Sequence, residues 1–182
     1  MSRLKDLYEK KIKTELAKEF DIKNEMAIPR VVKVVVNAGV GKATQDSKYL
    51  TEAEAAITAI TGQKPVTTKA RKSIAGFKLR EGNAVGVSVT LRGERMYEFI
   101  DRLVNATFPR IRDFRGIKAN AFDGHGNYSV GLKEHTVFPE LIGSDIAPIS
   151  LQVNINTSAK NNEQAKALLT HMGFPFVKET KE

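Results

Sequence analysis

The 182-residue chain carries a net charge of +8 and is 41% hydrophobic, with no cysteine. That is enough apolar content for one domain with its own core. It excludes a disordered basic tail, and the absent thiols exclude disulfides, thiol catalysis and thiolate metal sites, as suits a reducing cytoplasm. No apolar run approaches the ~20 residues of a membrane span, and the charged start Met1-Ser-Arg-Leu-Lys-Asp6 leads into no signal-peptide core.

Leu4, Leu7, Tyr8, Ile12, Leu16 and Phe20 recur at helical spacing and predict an amphipathic helix over 3–20, with Ser2 as its cap. Ile28-Pro29 breaks the chain. The β-branched run Arg30-Val-Val-Lys-Val-Val-Val-Asn-Ala38 predicts a strand, ended by Gly39-Val-Gly41. Asp46 or Ser47 is the expected cap of a helix through Leu50, Ala53, Ile57 and Ile60, closed by Gly62. Pro65 to Lys69 is a candidate short strand, and 70–83 is a loop marked by Gly76 and Gly82.

Val85, Val87, Val89 and Leu91 alternate with Gly86, Ser88, Thr90 and Arg92, the pattern of a half-buried strand. Met96, Phe99, Ile100, Leu103 and Val104 form a helical stripe that Phe108-Pro109 stops. Residues 110–127, with Gly116, Gly124 and Gly126, read as a long irregular excursion. Tyr128 to Lys133 is a candidate strand. Ile149, Leu151, Val153 and Ile155 alternate with Ser150, Gln152, Asn154 and Asn156 in another, and a last helix runs from Asn162 to Gly173.

Three of these strands keep a polar side. Lys33 and Asn37 mark the first, with Val35 between them; Ser88, Thr90 and Arg92 mark the second; Gln152, Asn154 and Asn156 mark the third. The expected architecture is a single α+β domain over 1–182: two layers, with helices on one face of a largely antiparallel sheet and the other face open.

The charge is concentrated. Lys64, Lys69, Arg71, Lys72, Lys78 and Arg80 lie within seventeen residues that contain no acid. Arg110, Arg112, Arg115 and Lys118 face only Asp113, which leaves the remainder of the chain near neutrality. Such clustering marks a surface that meets a polyanion. Thr67, Thr68 and Ser73 add hydroxyls to the first cluster, Gly76 and Gly82 allow close backbone approach, and Phe77 is an apolar residue at the loop tip. No strand shows the paired aromatics of a base-stacking sheet, so shape and backbone recognition of structured RNA is favoured over single-strand readout.

Enzymatic readings find less support. Gly39-Val-Gly-Lys42 follows a strand, but Val36 and Ala43 stand where a Walker loop needs glycine and a hydroxyl, and Thr44 where a dinucleotide fingerprint needs glycine. His125, His135 and His171 have no metal-ligand spacing, and no serine sits in a nucleophile elbow. No cofactor, metal or small-molecule substrate is expected. An enzyme acting on phosphorylated substrates and a nonspecific RNA chaperone stand as the alternatives.

Pro29-Arg-Val-Val-Lys-Val-Val-Val-Asn-Ala-Gly-Val-Gly41, Thr61-Gly-Gln-Lys-Pro65, Thr68-Lys-Ala-Arg-Lys-Ser-Ile-Ala-Gly-Phe-Lys-Leu-Arg-Glu-Gly82 and Phe122-Asp-Gly-His-Gly-Asn-Tyr128 occur in this order. Together they resemble the bacterial ribosomal large-subunit protein five family over nearly the whole chain. The resemblance implies a cytoplasmic, non-enzymatic protein of the large subunit that binds 5S ribosomal RNA and helps attach it in the central protuberance. It implies contacts to the P-site tRNA, to neighbouring large-subunit RNA and proteins, and to a small-subunit head protein in an intersubunit bridge. The 5S RNA is then expected on the open face and its flanks, at Lys33, Asn37, Gln63, Thr67, Ser88 and Thr90. The tRNA is expected at Arg71, Lys72, Ser73, Phe77, Lys78 and Arg80, and an RNA or bridge surface at Arg110, Arg112 and Arg115.

Overall fold

A computed structural model describes residues 2–41, 47–143, 146 and 148–177. Lys42 and the positions after it in the glycine motif, and the Asp46 cap, lie outside the described residues. In chain order the elements are α1 (Arg3–Leu7), a π-helical turn (Tyr8–Ile12), α2 (Lys13–Glu19), β1 (Val31–Gly39), α3 (Lys48–Thr61), β2 (Val66–Lys69) and β3 (Ala84–Leu91). There follow α4 (Gly93–Arg102), which continues as a π-helical turn (Leu103–Thr107), then β4 (Tyr128–Leu132), β5 (Leu151–Thr157) and α5 (Asn162–His171). The strands form one antiparallel sheet in the order β2-β3-β1-β5-β4, and with the helices they give the two-layer α+β class.

The alternation of the sequence explains the strands. Val34, Val36 and Ala38 are buried while Lys33, Val35 and Asn37 keep partial exposure. In β3, Val87, Val89 and Leu91 are buried while Ser88 and Thr90 are not, and β5 repeats the pattern with Leu151, Val153 and Ile155.

The chain forms two compact units. The first comprises Met1–Val34, Arg92–Val130 and Asn154–Glu182. Its core includes Leu4, Ile12 and Leu16, the α4 stripe Met96, Phe99 and Ile100, and Leu168 and Leu169 of α5. The expected N-terminal helix is present, but its middle turn is π-helical, and Ser2 caps it through its carbonyl oxygen, which accepts from the Lys5 and Asp6 N–H groups, rather than through its hydroxyl. A fork from Arg3 to Asp101 ties α1 to α4, with the shorter bond at 2.6 Å.

The second unit comprises Val35–Leu91 and Gly131–Val153. Here α3 packs Ala53, Ala56, Ile57 and Ile60 in a core shared with β3 and a 3-10 turn at Pro139–Leu141. Gly62 closes α3 in the left-handed region at φ 66°, where its N–H donates to the Thr58 carbonyl. Ser47 makes no side-chain cap bond.

Candidate nucleic-acid interface

The register of β2 on β3 decides which groups share the open face of the second unit. Val66 pairs with Ser88, Thr67 with Val87, and Thr68 with Gly86. Directly opposite residues of an antiparallel pair lie on one side of the sheet. Val66 and Thr68 therefore stand with Ser88, and Thr67 stands on the side of the buried Val87. Asn37 and Thr90 occupy the open side of their own strands. Gln63, at the start of the turn into β2, donates from its side-chain amide to the Thr90 carbonyl at 3.3 Å, so it is tied to that end of β3. Lys33 lies on the side of β1 that carries Asn37, in the part of the strand that belongs to the first unit. Among the described residues, the side chains of Asn37, Thr68, Ser88 and Thr90 have no hydrogen-bond partner within the protein.

The loop over residues 70–83 is closed into a ribbon. Its base is closed by Ala70 N–H to the Asn83 carbonyl at 2.8 Å and Gly82 N–H to the Ala70 carbonyl at 3.0 Å. Its upper part is closed by two reciprocal bonds between Ile74 and Leu79. Between them the Ser73 hydroxyl oxygen accepts from the Glu81 N–H at 2.9 Å. A 3-10 turn, Ala75–Phe77, caps the ribbon, and Lys78 takes the left-handed conformation at φ 52°. Gly76 keeps an ordinary backbone, so of the two glycines only Gly82, at φ 85°, uses its freedom. Phe77 is 75% exposed and Ile74 45%. Arg71, Lys72, Ser73, Lys78 and Arg80 are all exposed or part-exposed, and among the described residues none of these cations has an ion-pair partner.

The second basic cluster sits on a scaffold that periodicity does not reveal. Phe114 stacks on Phe108 with ring centroids 5.5 Å apart, and Phe108 meets Phe174 edge-on. Phe174 continues to Phe176, which contacts Phe122 and Tyr128. Ile117 donates to the Pro175 carbonyl at 2.8 Å and accepts from Val177 at 3.0 Å. Gly116 lies at φ 104°, and a Cβ there would fall 2.9 Å from the Pro175 carbonyl oxygen, so this strap fits only glycine. Arg110, Arg112 and Arg115 project from this pinned segment and are exposed.

In the same unit, the Asp123 carboxylate accepts from the His125 and Asn127 N–H groups and from the Asn127 side-chain amide. Those bonds, led by the Asn127 side chain, hold its carboxyl below the usual carboxylate range. Asn127 in turn accepts from the Thr157 N–H at 3.2 Å. The turn leaves His125 exposed.

A family model of ribosomal protein L5 matches residues 24–80, and a second model, of the C-terminus of the same ribosomal family, matches 84–176. The chain is 55% identical over 177 residues to "Large ribosomal subunit protein uL5" of Trichlorobacter lovleyi, covering 97% of this chain and 99% of that one. It is 52% identical over 180 residues to the protein of that name from Colwellia psychrerythraea, covering 98% and 99%. The Syntrophomonas wolfei protein is 54% identical over 177 residues, covering 97% and 99%. The chain belongs to the ribosomal protein L5 family.

In this L5-family chain the two parts of the second unit's surface differ in chemistry. The ribbon offers exposed cations and an exposed aromatic ring, which can neutralise phosphates and pack on a ribose or base. The open face offers hydroxyls and an amide, which can hydrogen-bond but release no counterions. Among the described residues no group of His, Asp and Glu side chains could hold a metal ion. The residues that sequence reading missed are Thr68 as a face residue, which only the register identifies, and the Phe114–Phe108–Phe174–Phe176 ladder, whose two halves are far apart in sequence.

Proposed function

We propose that the open face binds 5S ribosomal RNA through Lys33, Asn37, Gln63, Ser88 and Thr90, and that the protein thereby helps attach that RNA in the central protuberance. As an L5-family member the chain is a structural, non-enzymatic constituent of the large ribosomal subunit, located in the cytoplasmic ribosome. It acts as one RNA-binding domain. The ribbon meets the P-site tRNA through Arg71, Lys72, Phe77, Lys78 and Arg80, with Ser73 holding the ribbon's two strands in place. Arg110, Arg112 and Arg115 face neighbouring RNA or a small-subunit head protein in an intersubunit bridge. Thr67, whose side chain the register turns toward the Val87 side, is left out of the 5S face.

The observation that carries this reading is a row of polar side chains without hydrogen-bond partners among the described residues, on a face otherwise built from well-packed strands. Groups of that kind are satisfied by a ligand or by water, and in a ribosomal protein the available ligand is RNA. Replacing Asn37 and Thr90 by alanine should weaken 5S RNA binding by about 1–3 kcal/mol. Unchanged affinity in a filter-binding titration, with an unchanged melting curve, would remove the 5S RNA from this face.

A further inference from the structure

Resting on the open face as the 5S RNA surface, we infer that Thr68 is a further RNA contact. With Asn37, Ser88 and Thr90 it forms a neutral row that reads ribose hydroxyls in the minor groove of an RNA helix rather than phosphates. The register places Thr68 opposite Gly86, on the side of Ser88. Gly86 makes room for it: a Cβ at that position would fall 3.1 Å from the Thr68 Oγ1 and 2.5 Å from the Ala38 carbonyl oxygen. The missing side chain thus seats the threonine beside β3 and lets β1 approach β3 closely. The Thr68 hydroxyl is part-exposed and has no partner among the described residues.

The chemistry of the row selects its ligand. Within the second unit, the described open-face residues Val35, Asn37, Val66, Thr68, Ser88 and Thr90 carry no charge. Neutral groups cannot release counterions, so they add little to the salt-dependent part of binding. Hydroxyls and an amide both donate and accept, which matches the 2′-hydroxyl of RNA, itself donor and acceptor. An A-form helix displays those hydroxyls along a wide, shallow minor groove, which a sheet face can meet. The β-branched side chain of Thr68 is stiff at χ1, so little rotamer freedom is lost when its hydroxyl bonds. Phosphate contact is left to cations outside this row, and the ribbon cations serve the tRNA.

The test is a filter-binding titration of a 5S RNA transcript over a range of salt, with the wild type, Thr68→Val, Thr68→Ser and Asn37→Ala. Thr68→Val, which keeps the shape and removes the hydroxyl, should weaken binding about five- to tenfold with the slope of log K against log salt unchanged. Thr68→Ser, which restores the hydroxyl, should stay near wild type, and it keeps the comparison interpretable if the valine variant melts early. Unchanged binding by Thr68→Val while Asn37→Ala is impaired overturns the Thr68 assignment alone. Unchanged binding by both overturns the open-face reading itself. A Thr68→Val slope smaller by about 0.7–0.9 would mean that a phosphate contact was lost, contrary to the neutral row. Finally, 2′-deoxy interference mapping should show at least one 5S position whose deoxy form weakens the wild type and not Thr68→Val; no such position overturns ribose reading.

Discussion

The three histidines show how burial, not residue type, sets what a side chain can do. His125 is exposed on its glycine-flanked turn, and His171 lies between the Glu15 and Glu19 carboxylates at 3.2 Å from each. His135 is fully buried in the second unit, where its Nδ1 accepts from the Ile149 N–H at 3.0 Å and its Nε2 has no hydrogen-bond partner among the described residues. Accepting at Nδ1 requires the neutral ring with the proton on Nε2. Burial pushes the His135 pKa down, and the neighbouring Glu134 carboxylate opposes this only in part. A histidine depressed in the folded state contributes its full stability above the unfolded pKa of about 6.5 and loses it as pH falls through the folded value. Protonation would also turn Nδ1 from acceptor to donor and break the Ile149 bond. The wild-type denaturation midpoint should therefore fall between about pH 7.5 and pH 5 by more than that of His135→Gln, whose amide oxygen can still accept from Ile149. Parallel falls in the two proteins would exclude His135 as the acid-sensitive group. Nothing in Glu134-His135-Thr136 marks this residue as buried, because it sits in a 3-10 turn with no apolar period to read.

At the level of elements, the regular parts follow from periodicity and the irregular parts do not. Each expected strand and helix is present within a few residues, because alternation at 33–38 and 85–91 and the helical stripes at 53–60 and 96–104 each face one core. Residues 111–127 do remain without a named strand or helix, yet they are fixed by the ring contacts of Phe114 with Phe108 and of Phe122 with Phe176, and by the Ile117 strap. Pro175, Phe176 and Val177 lie beyond β5 and α5 in the chain, so no local window contains them. Phe174 is 3% exposed and joins the two halves of the ladder. Phe174→Ala should cost about 3–5 kcal/mol in a denaturant titration. Under native conditions amide exchange should also accelerate in 111–118 more than in α3, which belongs to the other unit. Equal acceleration in both segments would mean that the ladder supports the whole chain rather than the arginine-bearing segment.

Across the whole molecule, charge locates the interface and neutral chemistry divides it. The net +8 is concentrated in the Lys64–Arg80 window, which runs into the ribbon, and in the Pro109–Lys118 segment, a distribution readable from sequence alone. The sequence did not reveal that 70–83 is a closed ribbon, since the Ile74–Leu79 and Ala70–Asn83 bonds join residues with no alternating pattern between them. It also left Thr67 and Thr68 undistinguished, because which threonine shares the face of Ser88 depends on the pairing register. A ribbon that carries exposed cations beyond a neutral face should separate two partners by salt as well as by site. Substituting Arg71, Lys72 and Lys78 by glutamine should leave the affinity for isolated 5S RNA within about twofold, because the face supplies the discriminating hydrogen bonds. The same change should speed tRNA release from the P site of reconstituted ribosomes, with the difference from wild type shrinking as salt rises and screens the ribbon. A large loss of 5S affinity from the triple variant would place that RNA on the ribbon, and unchanged tRNA release would remove the tRNA from it.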